Sequence, residues 1–291
     1  MTAHLLKMAS SKSALTDRIT LANNLSIPSL HLGVYLMTSH EASTAVSSAL
    51  TIGYRAFDSA QMYHNERAVG SSILSFLAAN PDVKREEIHY TTKIASNEGY
   101  EAVRKGIKQS VKECGLGYVD LLLVHSPYGG KQAREESWRA VEDAIEEGEC
   151  MMGGVSNYGE KHIEELLASN PRHKPLVNQL EVHPFNTRPA LTAYCQKNDI
   201  TIQAYAPLAR ALRMKHPVLL ELAKKHGATP AQVMVRWSLQ KGYCPLPKSV
   251  NKERMEENCS VGGWQLEEEE VKRLDGLDEY LVTDWDPVDA D

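Results

Sequence analysis

From Tyr54 onward, short β-rich runs alternate with longer amphipathic stretches, and this alternation limits the fold more than any other feature of the chain. With one run ahead of Tyr54, the expected strands are His31–Tyr35, Arg55–Asp58, His89–Lys93, Val119–His125, Met152–Ser156, Val177–Glu181, Thr201–Tyr205 and Cys244–Lys248. Helices are expected between them, among others at Glu41–Ile52, Glu66–Ala79, Tyr100–Cys114, Ser137–Glu147, Gly159–Ala168, Arg188–Lys197 and Pro230–Lys241. In each, apolar residues recur at three and four. Strands joined by helical crossovers run parallel, and no Pro-, Gly- or Ser-rich linker divides the chain. The reading is therefore α/β: one closed (β/α)8 TIM barrel over residues 17–291, preceded by a flexible tail over 1–16. That tail carries Lys7, Lys12 and several serines but no acid before Asp17, a composition also found in organelle-targeting segments; fraying is the simpler expectation.

Two additions frame the barrel. Arg18–Ala22 and Leu25–Ser29 flank Asn23-Asn24, which predicts a hairpin with a two-residue turn placed as a plug at the barrel bottom. After the last strand come two extra C-terminal helices, Lys252–Cys259 and Glu267–Leu277, and an acidic tail ending Asp284-Trp285-Asp286-Pro287.

Composition removes several function classes. Hydrophobic residues make up 42% and charged ones 24%, ordinary for a compact domain. A net charge of −6 disfavours a nucleic-acid surface, and no apolar run reaches the roughly 18 residues of a membrane span. Five scattered cysteines without a Cys-x-x-Cys pair indicate a reducing compartment, the cytoplasm, with no zinc site and no other metal. A monomer is expected, with a weak dimer as the alternative.

Chemistry is expected where a barrel of this kind gathers side chains, at the C-terminal strand ends. Those ends carry Asp58, Lys93, His125, Ser156-Asn157, Gln179 with Glu181, Tyr205 and Lys248-Ser249. Each alone has a plain explanation in solvent exposure. Together they place an acid, a cation, an imidazole and a phenol at one mouth. A phenol near pKa 10 is a poor acid–base group at neutral pH unless a neighbouring ammonium stabilises its phenolate and lowers that value. Lys93 can do this for Tyr63, Asp58 can hold Lys93, and His125 can bond a substrate oxygen. No Gly-x-Ser-x-Gly elbow, strand-end cysteine nucleophile or His-x-His metal pair is present, so a hydride from a nicotinamide is the natural partner for such a proton donor.

The blocks Phe57-Asp58-Ser59-Ala60-Gln61-Met62-Tyr63-His64-Asn65-Glu66, Thr92-Lys93, Leu123-Val124-His125-Ser126-Pro127, Gly154-Val155-Ser156-Asn157, Asn178-Gln179-Leu180-Glu181-Val182-His183-Pro184, Ala204-Tyr205-Ala206-Pro207-Leu208 and Pro247-Lys248-Ser249-Val250 resemble the aldo-keto reductase superfamily over about residues 18 to 287. The resemblance implies that Tyr63, Asp58, Lys93 and His125 form a catalytic tetrad. It implies that Ser156, Asn157 and Gln179 bond a nicotinamide carboxamide, and that Tyr205 stacks on the ring. Glu257 and Asn258 match contacts on the adenosine side. Gly33, Val34, Tyr35, Ala206, Pro207 and Leu208 stand along the implied cofactor path, although Val34 and Ala206 occupy places where many members carry a hydroxyl.

The absent Gly-x-Gly-x-x-Gly fingerprint agrees with a family that lays its dinucleotide across the barrel mouth. Lys248, Ser249, Val250, Asn251 and Arg254 form the expected phosphate site, with Asn251 capping a helix. Two cations and a hydroxyl favour NADPH over NADH. Tyr35, Met62, Tyr63, His125, Tyr128 and Trp285 are expected to line the substrate pocket, with the loops Ser126–Glu136 and Ala209–Pro217. Mostly apolar walls suit small aldehydes and ketones, giving an NADPH-dependent carbonyl reductase; a barrel that keeps the cofactor but serves a regulatory binding role is the competing reading.

Overall fold

The computed structural model describes residues 13–291. Ten strands are present in that span: β1 (Arg18–Thr20), β2 (Ser26–Pro28), β3 (Leu32–Gly33), β4 (Ala56–Asp58), β5 (His89–Ile94), β6 (Val119–Val124), β7 (Cys150–Ser156), β8 (Val177–Glu181), β9 (Thr201–Tyr205) and β10 (Cys244–Leu246). The helices are α1 (Ser39–Ile52), α2 (Glu66–Ala79), α3 (Tyr100–Cys114), α4 (Gly130–Glu146), α5 (Glu160–Ala168), α6 (Pro189–Lys197), α7 (Pro217–His226), α8 (Pro230–Gln240), α9 (Lys252–Cys259) and α10 (Glu268–Asp275).

Strands β3 to β10 form one parallel sheet in sequence order, each beside its predecessor. The ends of this sheet meet: Gly33 bridges Lys248, and His31 N donates to Pro245 O at 3.2 Å. Gly33 suits that seam because a Cβ there would stand 3.3 Å from the Leu246 carbonyl oxygen. The fold is the expected eight-stranded α/β barrel.

Two apolar clusters follow from strand alternation. On β6, Leu121 and Leu123 point into the barrel, where they pack with Leu21 and Ile27 of the hairpin, Met152 and Val177. Leu122 and Val124 point outward into the larger cluster under the helices. The hairpin thus closes the end opposite the mouth. Just inside it, His31 and His89 lie buried with ring centres 5.0 Å apart, and His31 Nε2 is 3.0 Å from Pro28 O. Helix boundaries follow local chemistry. Thr38 and Glu41 box the start of α1, Thr229 and Gln232 box α8 behind Pro230, and Gly53 in a left-handed conformation (φ 119°) ends α1.

Several boundaries differ from expectation. The hairpin loop has three residues, Ala22–Asn24: Asn24 N donates to Leu21 O, and Asn24 takes the left-handed position (φ 65°) that closes such loops. Strands β3 and β10 are short, so Tyr35 and Lys248 follow their strands as loop residues. Helix α4 begins at Gly130, inside the segment read as loop Ser126–Glu136. Its first turns are polar, which hid the helical period. Helix α7 opens at Pro217, which the sequence reading took for the end of a loop; proline fits that first helical position. Of the tail expected over 1–16, the first 12 residues lie outside the described residues; Ala14–Thr16 form a turn with Ala14 buried.

Candidate active site

At the mouth a cavity of about 950 Å³ opens, lined by residues in or just past seven of the eight barrel strands, all but β5, and by the tail. Its floor is a buried polar cluster. Lys93 Nζ, with no exposed surface, donates to Asp58 Oδ1 at 2.5 Å, to Ser59 O at 2.8 Å and to Tyr63 OH at 3.4 Å. Gln179 Nε2 donates to Asp58 Oδ2 at 2.8 Å and to Gln203 Oε1 at 2.9 Å. The carboxylate therefore has a partner on each oxygen, which a buried ion pair needs to offset its lost hydration. Register places them: Asp58 and Thr91 are paired, and Lys93 lies two residues further along β5, on the same inward face. Tyr63 sits on a 3₁₀ turn, Gln61–Tyr63, that is tied down by Gln61 Oε1 accepting from Ala95 N.

Burial governs the titration of these groups. It lowers Lys93, an effect Asp58 opposes. It pushes Tyr63 well above the ordinary phenol range, with the Asp58 carboxylate adding to the rise. This corrects the expected lowering by Lys93: burial, not the ammonium, sets the direction of the shift. His125 is lowered to about 3, by burial first and then by Lys93, so its ring is neutral at neutral pH. Its Nδ1 is buried, so Nε2 is the ring nitrogen that can meet a ligand in the cavity. Tyr35, Tyr63, His125 and Trp285 form a chain of aromatic rings with successive centres 5.0, 5.8 and 5.9 Å apart.

Next to this floor, Ser156 Oγ donates to Gln179 O at 2.9 Å, Asn157 Nδ2 donates to His125 O at 3.1 Å, and Tyr205 OH donates to Asn157 Oδ1 at 3.0 Å. Ser156, Asn157, Gln179 and Tyr205 thus form one bonded patch. Glu181, also expected at the mouth, is instead wholly buried and accepts from Thr283 N and Oγ1 of the tail.

A model of the Aldo/keto reductase family matches residues 31–279. The chain belongs to that family. An uncharacterized oxidoreductase of Saccharomyces cerevisiae is 43% identical, over 93% of this chain and 97% of that protein. A glyoxal reductase of Bacillus subtilis is 36% identical, over 91% and 94%. The crystal structure of a Bombyx mori aldo-keto reductase in complex with NADP superposes with a TM-score of 0.87 at 31% identity, covering 92% of this chain and 94% of that one.

The cavity of this aldo/keto reductase has a donor set fit for a phosphorylated dinucleotide. Lys248, Ser249 and Arg254 line the cavity around the start of α9, which Asn251 caps by accepting from Arg254 N at 2.9 Å. Gly33, Tyr35, Ala206, Pro207, Leu208, Glu257 and Asn258 also line the cavity, as do Met62, Tyr63, His125 and Trp285. Other named residues stand apart from its surface. Val34 is buried behind it, Lys93 lies beneath it, Val250 faces solvent, and Tyr128 lies outside the lining against Trp285, ring centres 5.8 Å apart. Sequence reading missed Leu36, Ala231 and Leu246 on the cavity wall. Arg210, Ala211 and Met214 lie in the loop Ala209–Pro217 that was expected to line it, and Asp284 lies in the acidic tail beside Trp285, but none of these four was singled out by residue.

Proposed function

We propose that this aldo/keto reductase reduces aldehydes and ketones to alcohols with NADPH, using Tyr63 as the proton donor. The observation that carries the reading is the geometry of Tyr63, whose hydroxyl lies 3.4 Å from Lys93 Nζ in the buried Lys93–Asp58 pair and whose ring lies 5.8 Å from that of His125. When bound, NADPH supplies a hydride to the carbonyl carbon. Tyr63 gives its proton to the carbonyl oxygen as negative charge develops there, and Lys93 stabilises the phenolate left behind. His125 donates from Nε2 to the same oxygen and fixes the carbonyl's direction. Asp58 keeps Lys93 charged and in place. Ser156, Asn157 and Gln179 offer polar atoms to a carboxamide, Tyr205 offers a ring face, and Lys248 with Arg254 offers the charge that a 2′-phosphate requires.

The walls, with Tyr35, Met62 and Trp285, suit small aliphatic and aromatic carbonyl compounds. No described helix is long and apolar enough to cross a membrane. All five cysteines are buried and free, which supports placement in the cytoplasm, and we infer a monomer acting on a small-molecule substrate. The test is a carbonyl panel run with NADPH and NADH in parallel: turnover of reactive aldehydes with a preference for NADPH is expected, while tight NADPH binding without turnover would favour a regulatory barrel.

A further inference from the structure

The substrate end of the cavity holds one feature that carbonyl reduction does not use. Among the described residues the cavity-lining cations are Lys248, Arg254 and Arg210; the first two flank the start of α9, and Arg210 stands over the Tyr35 ring. The Arg210 Cζ lies 5.8 Å from the Tyr35 ring centre, and that ring lies 5.0 Å from Tyr63. A single aromatic ring thus separates the guanidinium from the proton donor.

The backbone reaches this arrangement against its preference. Ala209, Arg210 and Ala211 all have positive φ, at 46°, 46° and 63°. None is glycine, so each carries the Cβ clash of the left-handed region, and such strain persists where surrounding contacts impose it. Here the contacts are the buried Ala209, the pair Arg213–Glu279 at 2.8 Å, and the pair Arg210–Asp284 at 2.7 Å.

Asp284 is fixed from both sides. Thr283 before it is bonded to buried Glu181, and Asp286 after it is bonded to buried Arg188 at 2.7 Å. The Arg210–Asp284 pair itself is partly open, with 38% and 27% of the side chains exposed, so water screens it and exchange of its anion is easy. A guanidinium presents several donors to planar carboxylates and can take a second one.

We propose that Arg210 selects carbonyl substrates that also carry a carboxylate, about one ring's length from the reacting carbon, with Asp284 holding the guanidinium in place until that carboxylate arrives. The inference rests on the reduction proposed above and goes further by naming the substrate class.

The test compares para-carboxybenzaldehyde with its methyl ester, which have the same reacting group and differ in charge. The wild-type enzyme is expected to favour the acid through KM. Arg210→Met should lower the ratio of kcat/KM for acid over ester by at least about tenfold, the scale of one charge-assisted pair. Arg210→Lys should restore part of it, and Asp284→Asn should raise it. A ratio unchanged in Arg210→Met overturns the proposal, as does an equal loss on both substrates together with weaker NADPH binding, which would assign Arg210 to the cofactor's phosphates. Should the ester be reduced and the acid not bind, reduction stands and this inference falls; no turnover of either by the wild-type enzyme removes both.

Discussion

The floor and the rim of the cavity are built by opposite means. On the floor, Asp58, Lys93, Ser156, Gln179 and Tyr205 sit at or near the ends of regular strands, and hydrogen bonds of 2.5–3.0 Å connect most of them. At the rim, Arg210, Asp284 and Trp285 sit on a left-handed turn and an irregular tail, joined by one partly exposed ion pair and edge contacts of aromatic rings. The barrel fixes the floor for its own closure, and the same geometry positions the proton donor. The rim's backbone is anchored through Thr283 on Glu181 and Asp286 on Arg188, but the side chains of Arg210, Asp284 and Trp285 make few contacts of their own and can vary without disturbing the sheet. Chemistry and substrate choice are thus held by parts of unequal rigidity.

Three changes probe that contrast. Lys93→Met should have the largest effect: it leaves Asp58 buried without its cation, costing about 3–5 kcal/mol of stability, and should lower kcat by at least about a hundredfold. Urea unfolding and steady-state kinetics measure the two. A rim-sized effect on both would break the contrast.

Acid should act next, on buried histidines at both ends of the barrel interior. His31 beside the hairpin and His125 at the mouth are held neutral, each lowered to about 3, and burial also holds His89 well below the ordinary imidazole range. The unfolded chain therefore binds protons that the folded chain refuses. Their stabilising contribution is fully present above pH 6.5 and is lost as pH falls toward 3, with a slope of up to about 1.4 kcal/mol per unit for each ring. Between pH 6.5 and 5 most carboxylates stay ionised, so urea midpoints there isolate the histidines. His31→Leu should flatten the slope; an unchanged slope would show that the barrel interior does not govern acid sensitivity.

The smallest effect belongs to the rim. Trp285→Ala removes ring contacts to His125 and Tyr128, each worth roughly 1 kcal/mol, and should raise KM for aromatic aldehydes several-fold while kcat stays close to wild type. A kcat loss rivalling that of Lys93→Met would place Trp285 on the floor.

The same contrast explains what the sequence made visible. Asp58, Lys93 and His125 could be found because β-strand alternation and barrel geometry send strand ends to one mouth, and Tyr63 followed from the block after Asp58. Short β3 and β10 moved Tyr35 and Lys248 off their strands without moving them off the cavity, since the loops continue the strand direction. For the rim, the loop Ala209–Pro217 and Trp285 were legible, but the conformation and the pairing of Arg210 were not. Left-handed residues are announced by glycine or asparagine, yet Ala209-Arg210-Ala211 offers neither, and its partner Asp284 comes from a distant tail. Glu181 misled in the other direction: its strand end resembles its neighbours, but its carboxylate is spent on Thr283 and His183. The direction of the Tyr63 shift was likewise invisible, because it is set first by how deeply the phenol is buried, which a strand pattern does not reveal.

The central claim is that Tyr63 gives up the proton. Single-turnover reduction of a reactive aldehyde with pre-bound NADPH, compared between wild type and Tyr63→Phe, tests it most directly. The substitution removes one hydroxyl and keeps the ring packed against Tyr35 and His125. We expect the rate of NADPH oxidation to fall by at least about a hundredfold while NADPH affinity, read by protein fluorescence, stays at the wild-type value. A variant that oxidises NADPH at the wild-type rate would contradict the account.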